Sequence, residues 1–475
     1  MEFEAFNNFL ENNSWFIHTY KNYDGFDGFY TYGINGLKLK NKIINLWKKE
    51  FIETDDAFEI ETPLILPFEI LDESGHLDQF NEFVIKDNDD NIKKAKDILK
   101  NYYISVGKEN MIDQVDTWGR TRIEGEINKY KLINPPVEKS NINTRVRVET
   151  KNLMYGIGAT SQKNPNGIDF MRPELLQGFL ANFNSYKQEF KIPFTIGEIG
   201  KVFRKEIAPT PYLNMREFTQ GEIAIFFNPL DTDHKYFDII KNYKLPILTK
   251  EKYKSDKISI IMSVNELFSK INNQYICYYF IRIYQFINRL GIDKDNIRIR
   301  ELDKIELPHY SLQTWVFECI INDKWIKLVT INDRGAYDIE THHNRINITS
   351  TRELHTPIKN INYDIKVNKP NIFDRYQSAL NQISKYLLNL NSNEIKELKI
   401  KLEKNNGSIY IYINNIMYII TKDMIEFEEV NEEITKEVFT PNILTITSGI
   451  DRIIYSLLYY SLKFKDDKYV LEMLI

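Results

Sequence analysis

The sequence predicts an α+β fold: a mainly antiparallel sheet flanked by helices and carrying an insertion. Three observations predict it. A helical pattern runs straight into an apolar strand-like run over 36–66. Two extended runs flank a proline-containing loop over 192–227. Strand patterns over 312–332 are followed far downstream by a helix over 449–462.

Within 36–52, Leu39, Ile43, Leu46, Trp47 and Phe51 recur mostly three and four residues apart, which places them on one helical face, and 60–66 reads as a strand. Residues 85–100 and 134–146 are polar and unpatterned, as loops or insertions are. In 192–227, IPFTIGEIGKVFRKEIAPTPYLNMREFTQGEIAIFF, Pro209 and Pro211 cannot continue a hydrogen-bonded ladder, so 208–214 reads as the loop of a hairpin. Residues 264–291 read as one long helix closed by Gly291. Trp315, Trp325 and the LVTI run mark strands over 312–332, and 372–390 reads as another helix. The last helix sets Ile453, Ile454, Leu457, Leu458 and Ser461 on one face.

The chain has 475 residues, 43% of them hydrophobic, which excludes a wholly disordered polymer. At about 100–200 residues per domain this length fits two to four domains or one large unit with insertions. With 62 Lys+Arg against 67 Asp+Glu the net charge is −5, so a nucleic-acid partner would have to meet a local basic surface. Cys277 and Cys319 are too few for a disulfide framework or a four-cysteine zinc site and read as small core residues. Met1-Glu2-Phe3-Glu4 opens no secretory signal, and no run approaches the ~18–20 apolar residues of a membrane span. A cytoplasmic protein with no membrane partner is expected.

Period-two alternation sends Arg204 and Glu206 to one face of the first hairpin strand and Arg216, Phe218, Gln220 and Glu222 to one face of the second. Taken alone, such a face is more often a solvated, salt-bridged surface. The opposite face, however, carries Ile199, Phe203, Ile207, Ile223 and Ile225 only imperfectly, with Lys205 and Glu217 breaking the pattern. A floor for a polyanionic ligand accounts better for this, because Arg pairs phosphate bidentately and Phe stacks under a purine. Gly449-Ile450-Asp451-Arg452 opens the last helix where an anion is favoured, although by itself it is no more than an ordinary helix start. His342 and His343, with Asp338 and Glu340, suggest no joint metal site, since adjacent histidines on a strand face opposite ways.

These residues resemble known motifs. FRKE at 203–206 with REF at 216–218 resembles motif 2 of class II aminoacyl-tRNA synthetases, and GIDR at 449–452 resembles motif 3. The specific resemblance is to glycyl-tRNA synthetase of the eukaryotic and archaeal type. It runs in order through GFYTYGINGLKLKNKIINLW (28–47), motif 1 with Pro67, SGHLDQF (74–80), MRPELLQGFLANF (171–183), motif 2, LPHYSLQTW (307–315), NDRGAYD (332–338) and TPNILTITSGIDR (440–452). Ordered matches over most of a chain are far more specific than any one motif.

The resemblance implies catalytic roles for Arg204 and Arg452, and an ATP site of Arg204, Glu206, Arg216, Phe218 and Arg452. It implies an amino-acid pocket of Glu174, Glu222, Arg334 and Thr447. It further implies ATP and Mg2+ as cofactors, glycine and the acceptor end of tRNA as partners, and a homodimer built through motif 1. Departures are visible. Thr445-Ile446-Thr447 replaces the family's Glu-Pro-Ser, Lys327 stands where an acidic residue is expected to help bind magnesium, Thr210 replaces an arginine, and Asp451 replaces a glycine. The implied organisation is 1–84 with motif 1, an insertion over 85–150, core with motif 2 over 151–230, a helical insertion over 231–305, and core with a sub-insertion and motif 3 over 306–475. The 13 residues after 462 leave no room for an anticodon-binding domain, so tRNA identity is expected to be read at the acceptor end. The expected activity is ATP-dependent attachment of glycine to tRNA, with an inactive synthetase-like accessory protein as the alternative. Both activity and ATP site require Arg204, Phe218 and Arg452 to meet around one cavity.

Overall fold

Apolar β-formers recur through the middle of the chain, and nine such runs pair into one sheet. The computed structural model describes all residues except 1–2, 24, 88–90, 109–110, 134–144, 159–166, 187–189, 343–344, 346–347, 466–467 and 474–475. Two compact units are present, 1–348 with 440–475, and 349–439.

In the first unit the strands are β1 (Phe58–Glu59), β2 (Phe194–Phe203), β3 (Glu217–Phe227), β4 (Lys244–Leu248), β5 (Ile260–Ser263), β6 (Ile297–Glu301), β7 (Gln313–Ile321), β8 (Lys324–Gly335) and β9 (Asn442–Gly449). Their order across the sheet is β5-β4-β6-β7-β8-β9-β3-β2-β1. Only β1/β2 and β4/β6 pair in parallel. The β2–β3 hairpin sets Phe194 opposite Phe226 and Phe203 opposite Glu217. Asn322 and Asp323 close β7 onto β8 with φ of 46° and 60°, the left-handed pair that matches strand twist in a two-residue turn.

Helices flanking the sheet include α1 (Ile34–Lys48), α2 (Leu176–Tyr186), α3 (Val264–Ile271), α4 (Gln274–Arg289) and α5 (Ile450–Ser461). Along β3 the odd residues Ile223, Ile225 and Phe227 share a core with Leu39, Ile43 and Trp47 of α1 and with Ile453, Leu457 and Leu458 of α5. The even residues Ala224 and Phe226 instead meet Leu176, Phe179 and Phe183 of α2. Alternation thus gives the sheet two cores, one on each face.

Several sequence expectations change in detail. The 60–66 run is not one strand: Pro63 cannot donate to a ladder, and pairing resumes only at Ile65–Leu66. The helix expected over 264–291 is α3 and α4, divided where Asn272 takes φ +53° and Asn273 caps α4; Gly291, at φ +87°, lies just beyond the C-terminal cap. Likewise 372–390 divides into Lys369–Tyr376 and Leu380–Leu388. Residues 85–100 carry a strand, Ile92–Lys94, and the start of a helix, Ala95–Ser105, whose Leu99 and Tyr103 share a small core with Trp118, Ile123 and Ile127. Residues 134–144 of the second polar stretch lie outside the described residues. The segment 231–305, expected as a helical insertion, also supplies β4, β5 and β6 of the main sheet.

The second unit pairs Ser350–Val367 with Ile425–Phe439 and adds three helices and the hairpin Ser408–Ile413/Ile416–Thr421. It closes its own core around Ile372, Ile383, Leu387, Leu398 and Ile420.

Candidate active site

Helix α2 covers only one end of the face on which it packs. Beyond Ala224, the next even residues of β3 back toward its start, Glu222, Gln220 and Phe218, lie uncovered and floor a cavity of about 230 Å3. Thr330 and Asn332 of β8 and Thr447 and Gly449 of β9 continue that floor. Thr447 lies directly across from Glu222 on β3 and from Thr330 on β8.

Two arginines from distant parts of the chain reach this cavity. Arg204, just past the end of β2, donates from Nε and Nη2 to the Pro173 carbonyl at 3.3 and 3.2 Å. Its guanidinium lies over the rings of Phe80 and Phe218, at 5.2 and 5.4 Å from their centroids. Arg452, in the first turn of α5, donates to the Leu213 carbonyl at 2.6 Å and to Asn214 Oδ1 at 2.8 Å, both in the hairpin loop. Burial, and then the nearby Arg204, pull its pKa down to about 10. The neighbouring Asp451 is buried and fixes the start of α5 by accepting from the Tyr32 hydroxyl and the Thr219 backbone. Glu206 also lines the cavity and is ion-paired at 2.7 Å with Lys94.

At the other end lie two carboxylates in opposite electrostatic states. Glu174 is ion-paired to Arg334 at 3.1 Å and to His76 at 3.5 Å and accepts from Gln177 at 3.0 Å. Although burial works against it, Arg334 and His76 hold this carboxyl well below the usual range. Glu222 has no such cation. It is 4% exposed, one oxygen has no hydrogen-bond partner, and burial, followed by repulsion from Glu174, raises its pKa to about 8. The side-chain oxygen of Gln220 is buried and unpartnered as well.

Arg204, Glu206, Phe218, Arg452, Glu174, Glu222 and Thr447 therefore meet at one cavity. Two expected residues do not line it. Arg216 turns to the backbone carbonyls of Glu206 and Asp27, because its strand begins only at Glu217. Arg334 lies behind, clamped to Asp338 at 2.6 Å, with the Tyr310 ring 3.6 Å from its guanidinium. Its reach to the cavity is through Glu174 and Tyr310. Tyr310, Asn332 and Phe80 had not been singled out. Tyr310 and Phe80 lie inside the matched segments 307–315 and 74–80, which was the available signal. His342 hydrogen-bonds Glu73 and Gln177, and His343 lies outside the described residues. Among the described residues no group of three or more His, Cys, Asp or Glu is arranged to hold a metal ion. Cys277 and Cys319 are buried, their pKa values raised by burial to about 12 and 11, as befits inert core thiols.

An antiparallel sheet whose hairpin and final helix bring two arginines and a phenyl ring to one cavity is the catalytic architecture of a class II aminoacyl-tRNA synthetase. No protein-family model matches the chain. It is 32% identical over 473 residues to the glycine–tRNA ligase of Methanocaldococcus jannaschii, covering 95% of this chain and 78% of that protein. It is 27% identical to glycine–tRNA ligase 2 of Saccharomyces cerevisiae, covering 91% and 72%. Among solved structures, a prolyl-tRNA synthetase of Giardia lamblia in complex with prolyl-adenylate matches at a TM-score of 0.44 and 9% identity, over 96% of this chain and 51% of that one, too loosely to carry an argument. The chain belongs to the glycine–tRNA ligase family.

Proposed function

We propose that this cavity activates glycine as glycyl-adenylate. The chain is an ATP-dependent ligase that charges tRNA with glycine, and the site residues divide that work by position along β3. Adenine stacks on Phe218, with Glu206 on its edge. The α-phosphate meets Arg204, the terminal phosphates meet Arg452, and the glycine ammonium meets Glu222. Four residues of extended chain separate Phe218 from Glu222, about 13 Å, which leaves room between base and amino group for a ribose and one phosphoryl group.

A glycine carboxylate oxygen attacks the α-phosphorus in line. The new P–O bond forms as the bond to the bridging oxygen breaks, and pyrophosphate leaves with the electron pair. The terminal hydroxyl of tRNA then attacks the glycyl carbonyl carbon, its proton passing to a phosphate oxygen of the adenylate as the C–O bond to AMP breaks and AMP departs. Neither step needs a protein nucleophile. Positioning and cationic stabilisation of charge on the phosphoryl oxygens suffice, and Arg204 and Arg452 supply both. Glu174, already neutralised, narrows the pocket and holds Arg334, while Glu222 is the carboxylate left for the substrate cation. Thr447 offers a hydroxyl near the same end.

The fold family also implies Mg2+ with the nucleotide. The residues here do not fit a protein-held Mg2+: the flank that suits the phosphates presents Arg452 and Lys327, and among the described residues no group of three or more His, Cys, Asp or Glu is arranged to hold a metal ion. No step is routed through a metal. A homodimer is supported by the sheet ending at the short edge strand β1, beside exposed Phe58, Leu64, Ile65 and Phe68. Sedimentation at micromolar concentration tests it. Among the described residues no helix is long and apolar enough to cross a membrane.

The observation that carries this reading is the unpaired, buried Glu222 at one end of a cavity whose other end is cationic. Glycine-dependent exchange between ATP and labelled pyrophosphate tests it. Exchange with glycine is expected; an intact dimer showing no exchange with any amino acid would restore the accessory-protein alternative. Exchange faster with alanine or serine would reassign the specificity to the changed Thr445.

A further inference from the structure

A second cavity, of about 1030 Å3, opens beside the first and shares Leu213, Asn214, Lys327 and Arg452 with it. Lys327 thus stands at the passage between the small cavity and a wide groove. Its side chain keeps access to solvent through the mouth of the groove, yet it has no ion-pair partner among the described residues. The reason lies in the neighbouring strands. Glu318 is directly across from Lys327 on β7, but its two oxygens are taken by Arg298 at 2.7 Å and Arg300 at 3.3 Å from β6. Glu306, the other carboxylate nearby, is held by Arg300 at 2.9 Å. Three cations, Arg298, Arg300 and Lys327, thus face two carboxylates, and the surplus charge is the one that points into the cavity. Arg452 adds a second cation, its Nη1 donating to the Lys327 carbonyl at 3.4 Å. Protein packed around the ammonium, and then Arg452 and Arg300, lower its pKa to about 8, against which Glu318 and Glu306 act. Glu4 and Asp323 also line the groove, and Glu206 and Asp451 lie near Arg452, but among the described residues neither Lys327 nor Arg452 is ion-paired, and two adjacent unpaired cations suit an external anion.

We propose that Lys327 is a phosphate-binding catalytic residue of the adenylation step, its ammonium bonding the β- and γ-phosphates beside Arg452 and accompanying pyrophosphate into the wider groove. This rests on the reading of the cavity as an ATP site. As the bridging bond to the α-phosphorus breaks, the electron pair and its negative charge pass to pyrophosphate, and Lys327 meets that charge without transferring a proton. The charge that a metal would bring to the terminal phosphates is in part covalently supplied by the chain.

The test compares ligands that do and do not carry terminal phosphates. Binding of ATP and of AMP to the full-length protein is measured calorimetrically in EDTA, for wild type, Lys327→Met and Lys327→Arg. Wild type is expected to bind ATP without metal. The methionine variant should weaken ATP at least tenfold and leave AMP unchanged, and the arginine variant should recover most of the loss. Equal weakening of ATP and AMP would mean a distorted site, and no weakening of ATP would mean a bystander lysine; either overturns the proposal. If wild type binds a non-hydrolysable glycyl-adenylate analogue but not metal-free ATP, the ligase reading stands and the lysine proposal falls. If it binds none of the three ligands, both fall.

Discussion

Replacing Glu222 by Gln should improve stability and cripple activity at once, with a pH signature that neither effect has alone. In the folded protein Glu222 is buried and titrates near pH 8, against the ordinary 4.5 for an exposed glutamate. A carboxyl whose pKa is raised on folding contributes its full stability below the unfolded value and loses it as pH rises toward the folded value. At pH 7 the difference spans 2.5 units above 4.5, and at about 1.4 kcal/mol per unit the cost to the free enzyme is about 3 kcal/mol. Gln resembles the protonated acid and escapes that cost, but it buries an unpartnered amide at about 1–3 kcal/mol. At pH 8 the cost reaches about 4 kcal/mol, so the balance is a variant more stable than wild type by about 1–3 kcal/mol there and no better, or worse, at pH 5. Glycine binding moves the other way, because removing one partner of a buried charge pair costs about 3–5 kcal/mol, a rise in the glycine KM of at least a hundredfold. Urea unfolding at pH 5, 7 and 8, together with pyrophosphate exchange against glycine concentration, measures both. A stability difference that does not change with pH, or an unchanged glycine KM, would refute the reasoning.

Three further outcomes follow from the same arrangement of side chains. Because the glycine ammonium needs the ionised carboxylate, glycine affinity in wild type should climb up to tenfold per unit as pH approaches 8 and then level off, while Glu222→Gln gives a flat profile; calorimetry across pH 6–9 reads this directly. Phe80→Ala removes one of the two rings over the Arg204 guanidinium, worth about 0.5–2 kcal/mol, so kcat for exchange should fall several-fold to about thirtyfold with little change in the melting temperature, and Phe80→Tyr should restore it. Gly221→Ala would set a methyl 2.8 Å from the Trp47 indole, whose Nε1 donates to Ser448, and should destabilise the unit by about 1–3 kcal/mol in denaturant unfolding.

The hairpin and the final helix were legible in the sequence because local rules decide them. Prolines end a ladder, and one apolar face needs one partner. The ordered segments from 28 to 452 carried the family, and with it most of the site. The fates of Arg216 and Arg334 were not legible. Alternation assigns a residue to a face only where the strand exists, and β3 starts one residue after Arg216. Arg334 was drawn behind the cavity by Asp338, four residues on in the short helix that follows β8, whose carboxylate satisfies it locally. Nor does spacing foretell that β4, β5 and β6 join the main sheet, because that depends on the β4/β6 parallel pairing across about fifty residues. The part of the sheet face left for the cavity was also invisible, since it depends on where α2 begins, at Leu176.

Charge compensation, more than residue type, decides what each group in this cavity can do. Glu174 and Glu222 are the same side chain in the same buried setting, yet Arg334 holds the first ionised and satisfied while the second is left without a cation. Arg298 and Lys327 are both cations beside Glu318, yet only the arginine holds it. In each pair one member is neutralised internally and supports the wall, and the other is left uncompensated toward the cavity. Once Glu222 is ionised the two uncompensated ends have opposite signs, and so do the two ends of the reactants, an ammonium and a polyphosphate. A ligand entering with that polarity relieves both at once, whereas the reversed orientation meets like charge at each end. On the proposed reading, alignment of the glycine carboxylate with the α-phosphorus would follow from this polarity, with the ammonium drawing the proton off Glu222 as it binds.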